Sequence, residues 1–363
     1  MSTLKGTPPG GAPSLREGGQ AGELPRTVRI REVGPRDGFQ NEPEVIATDR
    51  KVELIDALAR TGLKRLEVTS FVRADVIPQL ADAAEVLARI DVPREVNVSV
   101  LIPNERGLDA ALHLRESVGP RASAGDSGSS GGPDTPGGPD IHGGDPGARG
   151  ERAAFDEINV FMSASESHNR NNVNRSIAES LAGLEAVLGR ARAAGLRCEG
   201  VISTSFGCPY EGHVPLERVL EIAARLRDAG AQEIGFGDTT GMANPRQVRE
   251  FFTAAREQLG EEVELTAHFH NTRGQGLANV LAALEAGVES FESSFGELGG
   301  CPVPAGATGN IATEDLVSML HEMGIETGVE LDALLACARR VQEVLGRALG
   351  SHTLVAGPVE WDV

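Results

Sequence analysis

Two histidines stand two residues apart, His268 and His270, in the stretch TAHFHNTRGQG at 266–276. In an extended strand, successive side chains face opposite ways, so both imidazoles share one face and Phe269 takes the other. Two imidazoles on one face can help hold one divalent cation. They can equally be two strand histidines making ordinary hydrogen bonds. Four further residues have types suited to the same site: Asp37 and Arg36 in GPRDGFQNE, Glu67 in RLEVTS, and Asn310 in a Gly-rich turn. Cys301, in GELGGCPVPAGATGN, adds a thiol in a glycine-flanked loop.

A hard cation such as Mg2+ or Mn2+ takes oxygen ligands and some imidazole, with positions left open for substrate. Asp37 offers a carboxylate, His268 and His270 two nitrogens, and Asn310 an amide oxygen. Zn2+ more often takes a thiolate or a third histidine. Each residue also has a plainer reading. Asp37 can shape the turn at Gly38, and Asn310 can cap the helix that starts near 312. Arg36 can stabilise an enolate or carboxylate with its fixed charge and paired donors, or sit in an ion pair. Glu67, near the end of a strand, can orient Arg36 or relay protons. Cys301 can act as acid or base on a mobile loop, or be a small apolar residue.

What places these residues is a repeat of short β-rich runs and amphipathic helical runs. The strands are expected at 28–33, 64–70, 96–102, 156–162, 197–203, 232–237, 263–270 and 289–294. Helices are expected near 48–61, 75–90, 104–116, 173–194, 215–229, 244–258 and 274–286, with another from about 312. Eight βα units in about 265 ordered residues match a (β/α)8 TIM barrel in size. A doubly wound sheet is the alternative, but no GxGxxG links a strand to a helix. Barrel enzymes keep their chemistry at the C-terminal ends of the strands, and the unusual polar stretches fall after strands 1, 2, 4, 5, 6, 7 and 8. Closure also makes strands 1 and 7 near neighbours, separated only by strand 8. The domain reading is a tail at 1–27 and a barrel over 28–350, then a C-terminal tail at 351–363. A low-complexity insert at 117–151, rich in Gly, Pro, Ser and Asp, separates helix 3 from strand 4. The first tail and the insert are expected to be disordered.

Composition excludes some classes. A net charge of −19 opposes general binding to nucleic acid or anionic membranes. No apolar run approaches the ~20 residues of a membrane span. The N-terminus lacks the apolar core of a signal peptide, so a cytoplasmic location is expected. The four cysteines have no CxxC spacing, which suits reduced thiols better than a disulfide framework.

These motifs together resemble the 3-hydroxy-3-methylglutaryl-CoA lyase family, within the wider group of metal-dependent barrel lyases and Claisen-type synthases. The matching stretches include EVGPRDGFQNE, LEVTSFV, NVNRSIAES, GCPYEGHV, GDTTGMANP, HFHNTRGQG and GELGGCPVPAGATGNIATEDLV. The resemblance implies that Asp37, His268, His270 and Asn310 bind a divalent cation. It implies that Arg36 stabilises the thioester enolate, with Glu67 supporting it. Cys301 would serve acid–base chemistry, and Asp238 would sit in the mouth near the substrate hydroxyl. The implied partner is an acyl-CoA and the implied assembly a homodimer. The implied reaction is retro-Claisen cleavage to acetyl-CoA and acetoacetate. The alternative is a condensing enzyme of the isopropylmalate synthase type, which GGCP and the lack of a regulatory domain disfavour. Three departures are expected to alter the pocket: Arg73-Ala74-Asp75 where the family commonly has Ser-Pro-Lys, Asn271 where it commonly has Asp, and His168 with Arg170 after strand 4.

Overall fold

The structure is a computed structural model that describes residues 24–118, 153–300 and 308–361. Its eight strands are β1 (Arg29–Glu32), β2 (Arg65–Ser70), β3 (Asn97–Leu101), β4 (Glu157–Ser163), β5 (Arg197–Ser203), β6 (Glu233–Asp238), β7 (Glu264–Phe269) and β8 (Ser290–Ser293). They close in chain order into one parallel barrel. Pairing of β1 with both β2 and β8 makes the closure. The TIM-barrel expectation is met, and β8 alone separates β7 from β1.

Helices wrap the outside: α1 (Thr48–Leu58), α2 (Ala83–Arg89), α3 (Glu105–Val118), α4 (Glu166–Val173), α5 (Ile177–Ala193), α6 (Leu216–Asp228), α7 (Pro245–Leu259), α8 (Gly276–Glu285), α9 (Thr313–Glu322), α10 (Leu331–Leu345) and α11 (His352–Ala356). Their apolar residues recur at helical spacing. Helix α6, for example, buries Val219, Leu220, Ile222, Ala223 and Leu226 against the strands. The outward strand faces answer with Ile158, Val160, Met162, Phe236 and Phe269, all fully buried. The core therefore lies between strands and helices. Among the described residues, no helix is long and apolar enough to cross a membrane.

Several boundaries differ from the sequence reading. One helix was expected over 173–194, but Asn174 adopts left-handed backbone at φ 55° and ends α4. Ser176 and Glu179 then form a reciprocal capping box that starts α5. The run expected to be helical from 75 holds only a short 3₁₀ turn, Pro78–Leu80, before α2. The end of the expected N-terminal tail is tied down, since Arg26 accepts from the Glu326 amide at 2.9 Å. Beyond 350 the chain is also anchored: Ser351 is buried and donates to Asp315 at 2.9 Å. The rest of the N-terminal tail and nearly all of the insert lie outside the described residues.

Inside the barrel, the side chains are charged. Branched apolar layers usually fill this space. Here Arg31 is fully buried and reaches Glu157 at 2.7 Å and Glu292 at 3.0 Å, with Glu199 and Glu233 also paired to it. Arg65 pairs with Glu233 and reaches Glu264 at 3.1 Å, and Arg197 reaches Glu264 at 2.7 Å. Buried charges of this kind are tolerated only when paired and hydrogen-bonded.

Candidate active site

Where β1 ends, the chain makes a single π-turn over Gly34–Gly38 and presents Arg36 and Asp37 at the barrel rim. Such turns occur often at functional positions. Gly34 is needed there, because a Cβ would overlap the Phe295 ring and the Glu32 carboxylate. The alternation along β7 sends Phe269 outward, with its ring centroid 5.9 Å from that of Phe206. His268 and His270 turn to the rim instead, and their Nε2 atoms stand 3.1 Å apart. Asn310 comes alongside through a backbone bridge to His270.

One ligand atom from each of Asp37, His268 and His270 lies within 4.8 Å of the others, so the three can hold one metal ion. Asn310 donates to Asp37 Oδ2 at 2.8 Å and to the Leu298 carbonyl at 2.8 Å. It does not cap the helix that follows: Ala312 is the N-cap of α9. Among the described residues, its Oδ1 is buried without a hydrogen bond of normal geometry. Two features of this group fit a cation. Two imidazole nitrogens face each other at hydrogen-bond distance, and this amide oxygen stands beside them.

Arg36 joins this group to a buried carboxylate. Its Nη1 donates to Asp37 Oδ1 at 2.6 Å and its Nε to Glu67 Oε2 at 2.6 Å. Asn159 holds the other Glu67 oxygen at 3.0 Å. The β2–β3 register shifts between Glu67 and Thr69, beside this pair. Burial pushes the Glu67 carboxyl up from its ordinary range, with Arg36 acting against the rise. Asp37 moves the other way: burial opposes its charge, but Arg36 and His268 outweigh burial and hold it low. Burial and the charge of His268 push His270 down to about 3. Burial also opposes charge on His268, yet the Glu292 hydrogen bond raises it.

Above the group opens a cavity of about 410 Å³. Its lining includes Arg36, Asp37, His268, His270 and Glu292 on one side, and Phe161, His168, Asn172 and Ser203 on the other. His168, on α4, is 5% exposed, and among the described residues its Nδ1 has no partner. Asp238 takes a different place from the mouth expected for it. Its Oδ1 accepts from the Met242 and Ala243 amides at 2.8 and 3.0 Å and shapes the loop after β6. Gly237 and Thr239, rather than Asp238, are the cavity-lining residues there. Cys301 lies outside the described residues. Gly300, just before it, lines the cavity and accepts from Asn41 at 2.8 Å.

Sequence reasoning missed Glu292, whose Oε2 lies 2.8 Å from His268 Nδ1. The available signal was its inward phase on β8, which it shares with Ser290.

The HMGL-like family model matches residues 27–341. The chain belongs to the HMGL-like family. It is 42% identical over 330 residues to the hydroxymethylglutaryl-CoA lyase YngG of Bacillus subtilis, covering 91% of this chain and 97% of that one. A crystal structure of the Bacillus subtilis HMG-CoA lyase superposes with a TM-score of 0.79 at 41% identity, covering 92% and 98% of the two chains. An HMG-CoA lyase from Acinetobacter baumannii, in complex with coenzyme A and 3-methylmalate, gives 0.78 at 36% identity, with 93% and 97% covered.

Of the three departures expected to alter the pocket, only the one at His168 lines the cavity. Asn271 donates to Glu297 at 2.6 Å, where an aspartate would face a second carboxylate. Arg73 and Asp75 are exposed and paired with each other. Arg170 is bound to Glu166 on the outer side of α4 at 2.7 Å, and only its neighbour His168 turns into the cavity.

Proposed function

We propose that this protein is a 3-hydroxy-3-methylglutaryl-CoA lyase that depends on a divalent cation, Mg2+ or Mn2+. The observation that carries the reading is the convergence of Asp37, His268 and His270 beside Arg36 at the floor of one cavity, in a chain of the HMGL-like family. Asp37, His268, His270 and Asn310 would hold the cation. When bound, it supplies Lewis acidity toward the substrate's C3 hydroxyl.

The chain's own residues account for the rest. The hydroxyl proton passes out along the path to which the resemblance assigns Glu67, and C3 becomes a ketone as the C2–C3 bond breaks. The bonding pair passes onto C2 and the thioester oxygen as an enolate, and acetoacetate is formed. Arg36, held by Glu67 on one side and Asp37 on the other, presents fixed donors to that oxygen. Protonation of C2 then gives acetyl-CoA. Cys301 is assigned to that proton by the family resemblance. Asp238 supports the loop after β6 by accepting from the Met242 and Ala243 amides. His168 approaches substrate from the far wall, where a ligand oxygen satisfies its imidazole. The coenzyme A in the Acinetobacter relative supports an acyl-CoA substrate here. A homodimer in the cytoplasm is the expected setting.

The test is an assay of purified protein with Mg2+ or Mn2+ and a panel of 3-hydroxy-3-alkylglutaryl thioesters, following acetyl-CoA release. Metal-dependent release with the methyl substrate is expected. Silence across the panel, together with condensation of acetyl-CoA with a 2-oxo acid, would assign the chain to the synthases instead.

A further inference from the structure

An imidazole in its neutral form carries one N–H and one lone pair. Which nitrogen holds the proton is set by what the other faces. His268 Nδ1 stands 2.8 Å from Glu292 Oε2, and its Nε2 stands 3.1 Å from His270 Nε2. In the neutral ring, an ionised carboxylate behind Nδ1 only accepts, so Nδ1 donates and the lone pair falls on Nε2. That is the atom aimed at the space shared with His270 and Asp37.

Glu292 is held in turn. Its Oε1 accepts from Arg31 Nη1 at 3.0 Å, and Arg31 is fully buried. The same guanidinium is fixed by Glu157 from β4, Glu199 from β5 and Glu233 from β6. Four strands thus brace a single carboxylate against the back of one imidazole. Glu292 thus has one oxygen on the His268 imidazole and the other on the Arg31 guanidinium. His270 has no such carboxylate behind it among the described residues, where its Nδ1 is buried without a hydrogen bond of normal geometry.

We propose that Glu292, anchored by Arg31, is a positioning residue that sets the tautomer and orientation of His268 and thereby the affinity of the rim for a divalent cation. The proposal rests on the metal-dependent reading above. It extends that reading to a residue that reaches the cation only through His268. Removing the brace lets the imidazole place its proton on Nε2, in the space the cation needs. Partners behind a ligating histidine are commonly worth ~10–100-fold in metal affinity.

The experiment has two readouts on the full chain. Histidine-selective 15N NMR of the metal-free protein gives the tautomer of His268, assigned through the peak lost in His268→Gln. Mn2+ titration followed by EPR gives affinity without reference to turnover. For the wild type, the Nδ1–H tautomer and measurable Mn2+ binding are expected. Glu292→Gln is expected to mix the tautomers and weaken Mn2+ binding by ~10–100-fold, with its melting curve checked for a retained fold. If that variant does not fold, Glu292→Asp keeps the anion for Arg31 but withdraws it from Nδ1. It is expected to change both readouts in the same direction. An Nε2–H tautomer in the wild type overturns the proposal, and so does unchanged Mn2+ affinity in a folded variant. Absence of Mn2+ binding by the wild type instead overturns the metal-dependent reading itself, whatever the tautomer.

Discussion

Two trios of potential metal ligands occupy the barrel, one above the other. Glu157, Glu199 and Glu233 lie deep inside it, and Asp37, His268 and His270 lie at the rim; each trio has its ligand atoms within 4.8 Å of one another. By distance alone they are equivalent. Their neighbours separate them. The deep trio is already filled by the Arg31 guanidinium, with Arg65 paired to Glu157 and Glu233. The rim trio has its arginine to one side, where Arg36 pairs with Asp37 and Glu67 and leaves the imidazole nitrogens facing each other beneath the cavity. A constellation of ligands becomes a site only where no fixed cation of the protein has taken the place. The deep arginine serves structure, and the rim arginine is free to serve chemistry.

The largest effect should come from breaking the deep trio's balance. Arg31→Met leaves several buried carboxylates without their cation, a loss of about 3–5 kcal/mol or more. We expect insoluble protein or a sharply lowered denaturant midpoint, and a midpoint near the wild type's would contradict the structural role. Arg36→Gln tests the other arginine. It should keep its fold and bind Mn2+, yet lose about two to three orders of magnitude in kcat. Turnover equal to the parent's would remove Arg36 from the chemistry.

His168→Phe should be milder. It exchanges one hydrogen bond to substrate for an apolar ring, so KM should rise roughly two- to ten-fold with kcat little changed. An unchanged KM would leave His168 as packing alone.

The smallest effect concerns a third way of neutralising a buried carboxylate, with a proton. Among the described residues Glu314 is buried without a guanidinium beside it, and burial pushes it up to about 8. The folded chain therefore keeps a proton that the unfolded chain releases near 4.5. Stability from this source is complete below about 4.5 and falls as pH rises toward about 8. Glu314→Gln should flatten that fall, with a Tm advantage of a few degrees at pH 8 that shrinks toward pH 5. Parallel Tm curves for the two proteins would show that Glu314 does not titrate there.

How much of this the sequence revealed depended on range. The barrel was legible because alternating strands and helix periods are local signals, repeated eight times. His268 and His270 were legible because a period of two is written within three residues. Asp37 and Asn310 became candidates only once closure was assumed, since 273 positions separate them. Glu292 and Arg31 are 261 positions apart, and no local pattern links them. A weaker signal was present all the same. Arg31, Glu157, Glu199, Glu233, Glu264 and Glu292 are charged residues within short strands, which apolar filling of the barrel would not allow. The split before α5 was missed because helix propensity carried the run through Asn174, and the capping pair at Ser176 and Glu179 decides the boundary instead.

The plug of arginines and glutamates along the axis has a kinetic consequence. Arg31, Glu157, Glu199 and Glu233 are all sealed from solvent, so the barrel is stoppered at its lower end. Reactants and products must share one doorway at the top. Whatever is bound deepest can depart only past what lies above it, so the order of product departure is imposed by the architecture before any loop moves.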